Sequence, residues 1–313
     1  MVVMKNKNSY SNAWLRAFVR LNLLACLDVK GLLVASLIFG FGMEAQAATP
    51  IMEYKFNSTG TTAKSSCPNY SLSLSNAAGA ATDLHSSAGA GVSGLSEDRA
   101  FDNTASRHMG RGDGSVNAGG IANQSDLDGI DNLASFTLQG WFKTVPGQTL
   151  GEFARLIDNH NDQVSPQGGF ELYGGRNVNG PVDPGKLTLL LDGSELSTTS
   201  ASYQEQNTWV FFGVSYDGTL TSNNVKFYKG TTTSSVVLID TLTLNKGTVN
   251  NEPTGLGIGN RDRRPSIPNQ IRDRPFDGFL DNMRIFGTPT GKGGVLSLSE
   301  LEALRVRDVS NLP

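Results

Sequence analysis

The sequence predicts an all-β protein: a two-sheet antiparallel β-sandwich with a short C-terminal helix. Three observations carry this expectation. Short runs with apolar residues at every second position recur along the chain, the period of a half-buried strand. The 36 glycines among 313 residues, with many Ser, Thr and Asn, supply the turn chemistry that many short strands need. Helical periodicity is weak until the final Leu298–Leu304 stretch. Period-2 strands must bury one face, and two sheets packed face to face provide that burial for every strand at once. With 38% hydrophobic residues the chain can form one large core, and no second domain is needed.

The first 47 residues are expected to be an export signal rather than part of the fold. Lys5, Lys7, Arg16, Arg20 and Lys30 form a basic region, Gly31 to Gly42 an apolar core, and Ala45-Gln46-Ala47 a small-x-small site with cleavage after Ala47. That core is too short for a permanent membrane anchor, so the reading is a secreted or periplasmic protein with no transmembrane anchor after cleavage. A rival lipoprotein signal ending at Cys26 lacks an apolar run before the cysteine. Cleavage would leave Cys67 as the sole cysteine, in a turn-like string without a cationic neighbour, a bystander thiol.

Elements follow in order. Met52 to Phe56 alternates as a first strand. Asn57 to Gly120 is rich in Gly, Ala, Ser and Asn and reads as loops and short edge strands around Leu72, Leu74 and Arg99 to Asp102. Ser135 to Lys143 is the clearest central strand. Phe153 to Asp158, Gly169 to Tyr173 and Lys186 to Asp192 continue the meander. Trp209 to Gly218 is apolar on both faces, as a central strand should be, and pairs with Asn224 to Gly230 in a hairpin. Leu256 to Asn260 adds a further strand. Phe276 to Phe286 is a strand whose buried residues lose phase near Asp281, which predicts a bulge there. Leu298, Leu301 and Leu304 then share one stripe of a helix expected to cap one end of the sandwich.

Several of these strings resemble one family. Aromatic-x-Gly-x-Leu-Asp-x-x-Arg-Ile-aromatic at Phe276 to Phe286, followed by a Leu-Ser-x-x-Glu-x-x-x-Leu helix, resembles the end of the laminin-G-like (concanavalin A-like) jelly-roll family. Phe136-Thr137 with Trp141 and Lys143, Trp209 with Tyr216-Asp217-Gly218, and Leu256-Gly257-Ile258-Gly259 are similar to its other landmarks. The resemblance spans roughly residues 50 to 307 and implies a jelly roll. It leaves function open, because such folds host glycan binders, adhesion modules and glucanases.

Composition and motifs narrow the choice. Charged residues make up 18% and the net charge is −3, and the basic string Arg261-Asp262-Arg263-Arg264 lacks interleaved aromatics, so no nucleic-acid partner is expected. The family's hydrolases carry Glu-x-Asp-x-x-Glu on one strand, bringing two carboxylates together; no such string occurs, and neither does a Gly-x-Ser-x-Gly elbow, a phosphate loop or zinc-type Cys/His spacing. A non-catalytic module is therefore expected, with a glycoside hydrolase as a third reading. Relatives in the laminin-G and pentraxin groups imply calcium at the sandwich rim, and Asp158, Asn159 and Asp162 supply oxygen donors after a strand, with an Asx-turn loop as the alternative. Asp281 in the bulged strand is a second place for a structural ion. Arg111-Gly112-Asp113 and Asp126 to Asn132 are read as chance and turn chemistry.

Sugar sites combine an aromatic platform with planar amide or charged groups. Tyr173, followed by Arg176, Asn177 and Asn179, offers those types on one loop, while Trp141 and Trp209 are expected in the core. The loop Gly259 to Pro275 could form one wall of a groove. The resulting expectation is an exported carbohydrate-binding or adhesion module, with calcium as a candidate cofactor and a polysaccharide or glycan as ligand. The alternative is a structural domain whose partner is an envelope protein.

Overall fold

The structure is a computed structural model that describes residues 48–67, 70–76, 78–106, 109, 119–124, 128–160, 167–175, 184–251, 255–261 and 274–310. The predicted export segment, the Arg-Gly-Asp string, Asp162, Arg176, Asn177 and Asn179 lie outside them. Among the described residues no helix is long and apolar enough to cross a membrane.

Two antiparallel sheets form the predicted sandwich. The strands are β1 (Met52–Tyr54), β2 (Thr62–Lys64), β3 (Ser71–Ser75), β4 (Phe101–Asp102), β5 (Ile121–Gln124), β6 (Ser135–Thr144), β7 (Arg155–His160), β8 (Gly169–Gly174), β9 (Leu187–Leu191), β10 (Ser194–Ser197), β11 (Val210–Asp217), β12 (Val225–Thr231), β13 (Val237–Leu242), β14 (Leu256–Ile258) and β15 (Gly278–Thr288), followed by helix α1 (Leu298–Ser310). One sheet runs β1-β15-β6-β11-β12-β13, with β4 also on β15, and the other runs β10-β9-β8-β7-β14-β5-β3-β2.

Alternation decides what lies between the layers. Phe136, Leu138 and Phe142 of β6, Val210, Phe212 and Val214 of β11, and Phe170, Leu172, Leu187, Leu189 and Leu191 of β8 and β9 all join one buried cluster. Each such side chain contributes about 1.5–3 kcal/mol of burial. The intervening residues of β6 and β11 point the other way. Trp141, Phe211 and Tyr228 form a second cluster with Leu296, Leu301 and Leu304, so α1 covers the outer face of the seven-stranded sheet rather than capping one end. Trp141 is fully buried, as expected, and its indole N–H donates to Asp308 at 2.9 Å. Leu298 departs from the predicted stripe: it is 45% exposed, and Asp308 takes a buried place instead.

The predicted bulge is present. The register of β15 against β6 shifts between Asp281 and Arg284, and Asn282 adopts φ +48° there, a left-handed conformation that Asn tolerates. β7 carries a second bulge, between Arg155 and Ile157. Leu156 and Ile157 both enter the core as a result.

A polar cleft on the eight-stranded sheet

The bulge in β7 brings several charged side chains to one surface. In a regular strand Arg155 and Asp158 would point to opposite faces. With one residue inserted, both reach the outer face of the eight-stranded sheet. Cross-strand pairing then lines up two rows on that face. Asp158 lies opposite Glu171, Glu171 opposite Leu190, and Leu190 opposite Glu195. Beside them, Arg155 lies opposite Tyr173, Tyr173 opposite Thr188, and Thr188 opposite Ser197.

These rows lie under a cleft of about 370 Å³ lined by Phe153, Arg155, His160, Gln167, Glu171, Leu190, Gly193, Glu195, Arg261 and Arg274. Arg155 organises the interior. Its Nη2 meets Glu171 Oε2 at 2.6 Å and its Nε lies 3.8 Å from Asp158 Oδ2, while its guanidinium carbon sits 4.0 Å over the Tyr173 ring. Burial disfavours the charge on Arg155, but Glu171 and Asp158 more than offset this and hold it cationic. Asp158 responds in the opposite sense: burial, with the Glu171 charge added, pushes its carboxyl well above the usual carboxylate range. His160 Nδ1 stands 3.5 Å from Glu171 Oε1.

Phe153 forms the aromatic part of the cleft. It stacks on Tyr173 at 5.7 Å and 26°, and Arg274 lies over its ring at 4.4 Å. Its φ is +62°, a genuine outlier for a bulky residue, of the kind that collects at functional sites. The surrounding backbone holds it: Phe153 N–H donates to Gly174 O at 2.9 Å, and Phe153 O accepts from Arg155 Nη1 at 3.3 Å.

The expected site residues are placed as follows. Tyr173 is fully buried and presents no face to solvent; Phe153, half-buried beside it, takes the position of an aromatic wall. Arg261 and Arg274, in the described ends of the stretch Gly259 to Pro275, line the cleft. Asp158 and Asn159 flank each other on β7, but Asn159 Nδ2 donates to Gly255 O at 2.7 Å and Asp158 Oδ1 accepts from His160 N–H at 3.0 Å. Asp281 belongs to the other sheet, where its two oxygens accept from the N–H groups of Val92 and Asn282 at 3.0 and 2.7 Å. The side chain of Asp158 thus faces the His160 N–H and the Arg155 guanidinium, and that of Asp281 faces two backbone N–H groups. No three His, Cys, Asp or Glu side chains among the described residues are placed to hold an ion. Glu171, Glu195 and Phe153 escaped sequence reasoning; the excess residue in β7 was the only signal for them, and it is silent without its partner strand.

The sequence matches no family model and no curated protein. Among solved structures, the chain is similar to domain 4 of AbnA, a GH43 extracellular arabinanase from Geobacillus stearothermophilus, in complex with arabinotriose. The TM-score is 0.52 and the identity 14%, over 83% of this chain and 100% of that domain. The botulinum neurotoxin serotype G binding domain matches with TM-score 0.47 and 11% identity over 82% of this chain, which spans 50% of that one. The CBM40 domain of Ruminococcus gnavus IT-sialidase, bound to α2,3-sialyllactose, matches with TM-score 0.39 and 17% identity over 58% of this chain and 90% of that one. The first likeness shows the β-sandwich fold. The fold expectation therefore stands, while the laminin-G assignment remains a sequence resemblance.

Proposed function

We propose that this chain is an exported, non-catalytic carbohydrate-binding module that takes its glycan in the cleft on the outer face of the eight-stranded sheet. The observation that carries the reading is the lining itself: the Phe153 ring beside Arg155, Glu171, Glu195 and Arg274. An aromatic face for the apolar side of a sugar, together with fixed polar groups for its hydroxyls, is the chemistry such ligands need. The arabinotriose held by the similar Geobacillus domain supports a sugar on this fold. The non-catalytic part rests on Asp158 and Glu171. They share a row, but both are buried, and Arg155 lies within 4 Å of each, which suits a structural ion-pair cluster better than an acid/base pair exposed to substrate.

A glycan array, followed by calorimetry with calcium and with a chelator, tests the reading. At least one glycan should bind, and Phe153→Ala should weaken it about tenfold. Absence of binding under both conditions would overturn it, and turnover of a bound glycan would replace it with the hydrolase reading. One observation favours a second reading, a protein-interaction domain of the envelope. Edge strand β13 exposes Val237 and Leu238 at 53% and 48%, beside a groove of about 460 Å³ lined by Tyr228, Leu238, Leu296 and Leu298 between Lys226 and Lys292. Cross-linking in the native envelope with a β13-directed probe that recovers no partner would remove it.

A further inference from the structure

The groove beside β13 joins apolar side chains that the fold does not use to two cations that the protein does not answer. Leu238 of β13 lies opposite Tyr228 of β12, on the face that α1 covers, yet remains half-exposed. Leu298, the first residue of α1, lines the same groove and is half-exposed too. The start of the helix is complete without it. Ser297 and Glu300 cap α1, and Leu296 and Leu301, on either side of that cap, are both buried in the second cluster. Val237 continues the exposed apolar surface past the groove. Edge strands ordinarily carry charge at such positions, and an apolar patch with a polar rim marks a contact surface.

Charge decides what that surface fits. Lys226 and Lys292 line the groove, and no Asp or Glu stands with them among the described residues. The acids of the same elements are engaged elsewhere. Asp240 accepts from the N–H and Oγ1 of Thr199 at 2.7 and 2.8 Å, Glu300 from Ser297, and Glu302 from the Val236 N–H at 2.7 Å and from Arg305. Among the described residues, neither lysine ammonium forms an ion pair or a hydrogen bond. A second copy laid groove to groove would set two further lysines against these. Strand addition along β13 meets a bulge: Phe227 pairs with Asp240 and Tyr228 with Leu238, so Ile239 is extra and interrupts the edge. A small anionic amphiphile needs a pocket that buries most of its surface, whereas here the apolar exposure runs on to Val237. An acidic peptide segment bearing large apolar side chains covers all of these groups. Deepening the interaction reading of this groove, on which it rests, we propose that the groove docks an acidic, apolar segment of a partner protein. Leu238 and Leu298 receive its apolar side chains, and Lys226 and Lys292 its carboxylates.

Panning a random library of peptides about twelve residues long on the purified chain tests this, with the selected peptides then measured by fluorescence anisotropy. Enriched peptides should join Leu or Phe to Asp or Glu. Replacing their acids by Asn or Gln should weaken binding about fivefold or more, an effect that shrinks as salt rises. The double variant Lys226→Gln with Lys292→Gln should remove the preference for acidic peptides, and Leu238→Ser with Leu298→Ser should abolish binding. Each of these side chains is at least partly exposed, and circular dichroism checks folding; should the leucine double variant not fold, Leu298→Ser alone and the lysine variant decide. Vesicles containing phosphatidylglycerol form a second arm. Peptides that bind equally well without their acids, or that keep their preference in the lysine variant, overturn the inference and leave the interaction reading standing. Recovery of no peptide sensitive to the groove variants, or sensitivity to them in vesicle binding alone, overturns both.

Discussion

Arg284 is fully buried in β15, and its whole fork is used. Nη1 and Nη2 bind Asp308 of α1 at 2.8 and 2.6 Å, Nε binds Glu53 of β1 at 2.6 Å, and Nη1 also reaches Gln139 of β6 at 2.9 Å. One side chain thereby ties the helix to three adjacent strands. Removing a single partner from such a group leaves an uncompensated buried charge. Arg284→Met should therefore cost about 3–5 kcal/mol in a urea titration, with the near-ultraviolet signal of Trp141 lost alongside. The double variant Arg284→Met with Asp308→Leu should recover a large part of that cost. A single variant within about 0.5 kcal/mol of the parent would show that the network is idle.

At the scale of elements, α1 begins with a capping box. The Glu300 N–H donates to Ser297 Oγ at 3.3 Å, and the Ser297 N–H donates to Glu300 Oε2 at 2.7 Å. Ser297→Ala should cost about 1 kcal/mol, read as a lower unfolding midpoint with unchanged slope. Ending the chain at Leu296 should do far more, exposing Trp141 and Phe211 and shifting tryptophan emission to the red. Unchanged emission would mean that the helix does not shield the second cluster. How legible an element was in the sequence follows from the same physics. β6, β11 and β15 declare themselves because large apolar residues recur along their core faces, and Met283 and Ile285 fall on one face with Leu280 only if the bulge is present. β10 and β13 do not, because edge strands with half-exposed or exposed residues such as Ser194, Val237 and Leu238 carry no clean alternation. The cleft was illegible for a different reason. Asp158, Glu171, Leu190 and Glu195 become neighbours only through strand pairing, and Arg155 joins them only through a bulge that Arg-Leu-Ile-Asp does not announce.

For the molecule as a whole, buried carboxyl groups of opposite tendency set the dependence of stability on pH. Glu53 is held below its ordinary value of 4.5: burial works to raise it, but the charge and hydrogen bond of Arg284 prevail. A depressed carboxyl contributes stability above its unfolded value, and that contribution is lost as pH falls through the folded one. Asp158 and Asp281 are raised well above 3.8, Asp158 by burial and then Glu171, Asp281 by burial and then Asp98. In the folded state each holds its proton more tightly than in the unfolded chain, so their contribution is complete below 3.8 and is lost as pH rises through the raised values. Stability should therefore peak on the acid side of neutrality, with a falling limb on each flank. Asp158→Asn should flatten the limb toward neutral pH, because an amide keeps an acceptor for the His160 N–H without a titrating charge; Glu53→Gln should flatten the acid limb only. Unfolding midpoints from pH 3 to 8 for the parent and both variants separate the two flanks, since each group titrates on one of them. A parent curve that rises steadily to pH 8, or an Asp158→Asn curve parallel to it, would mean that the polar rows beneath the cleft keep Asp158 ionised, with Arg155 neutralising Asp158 and Glu171 together.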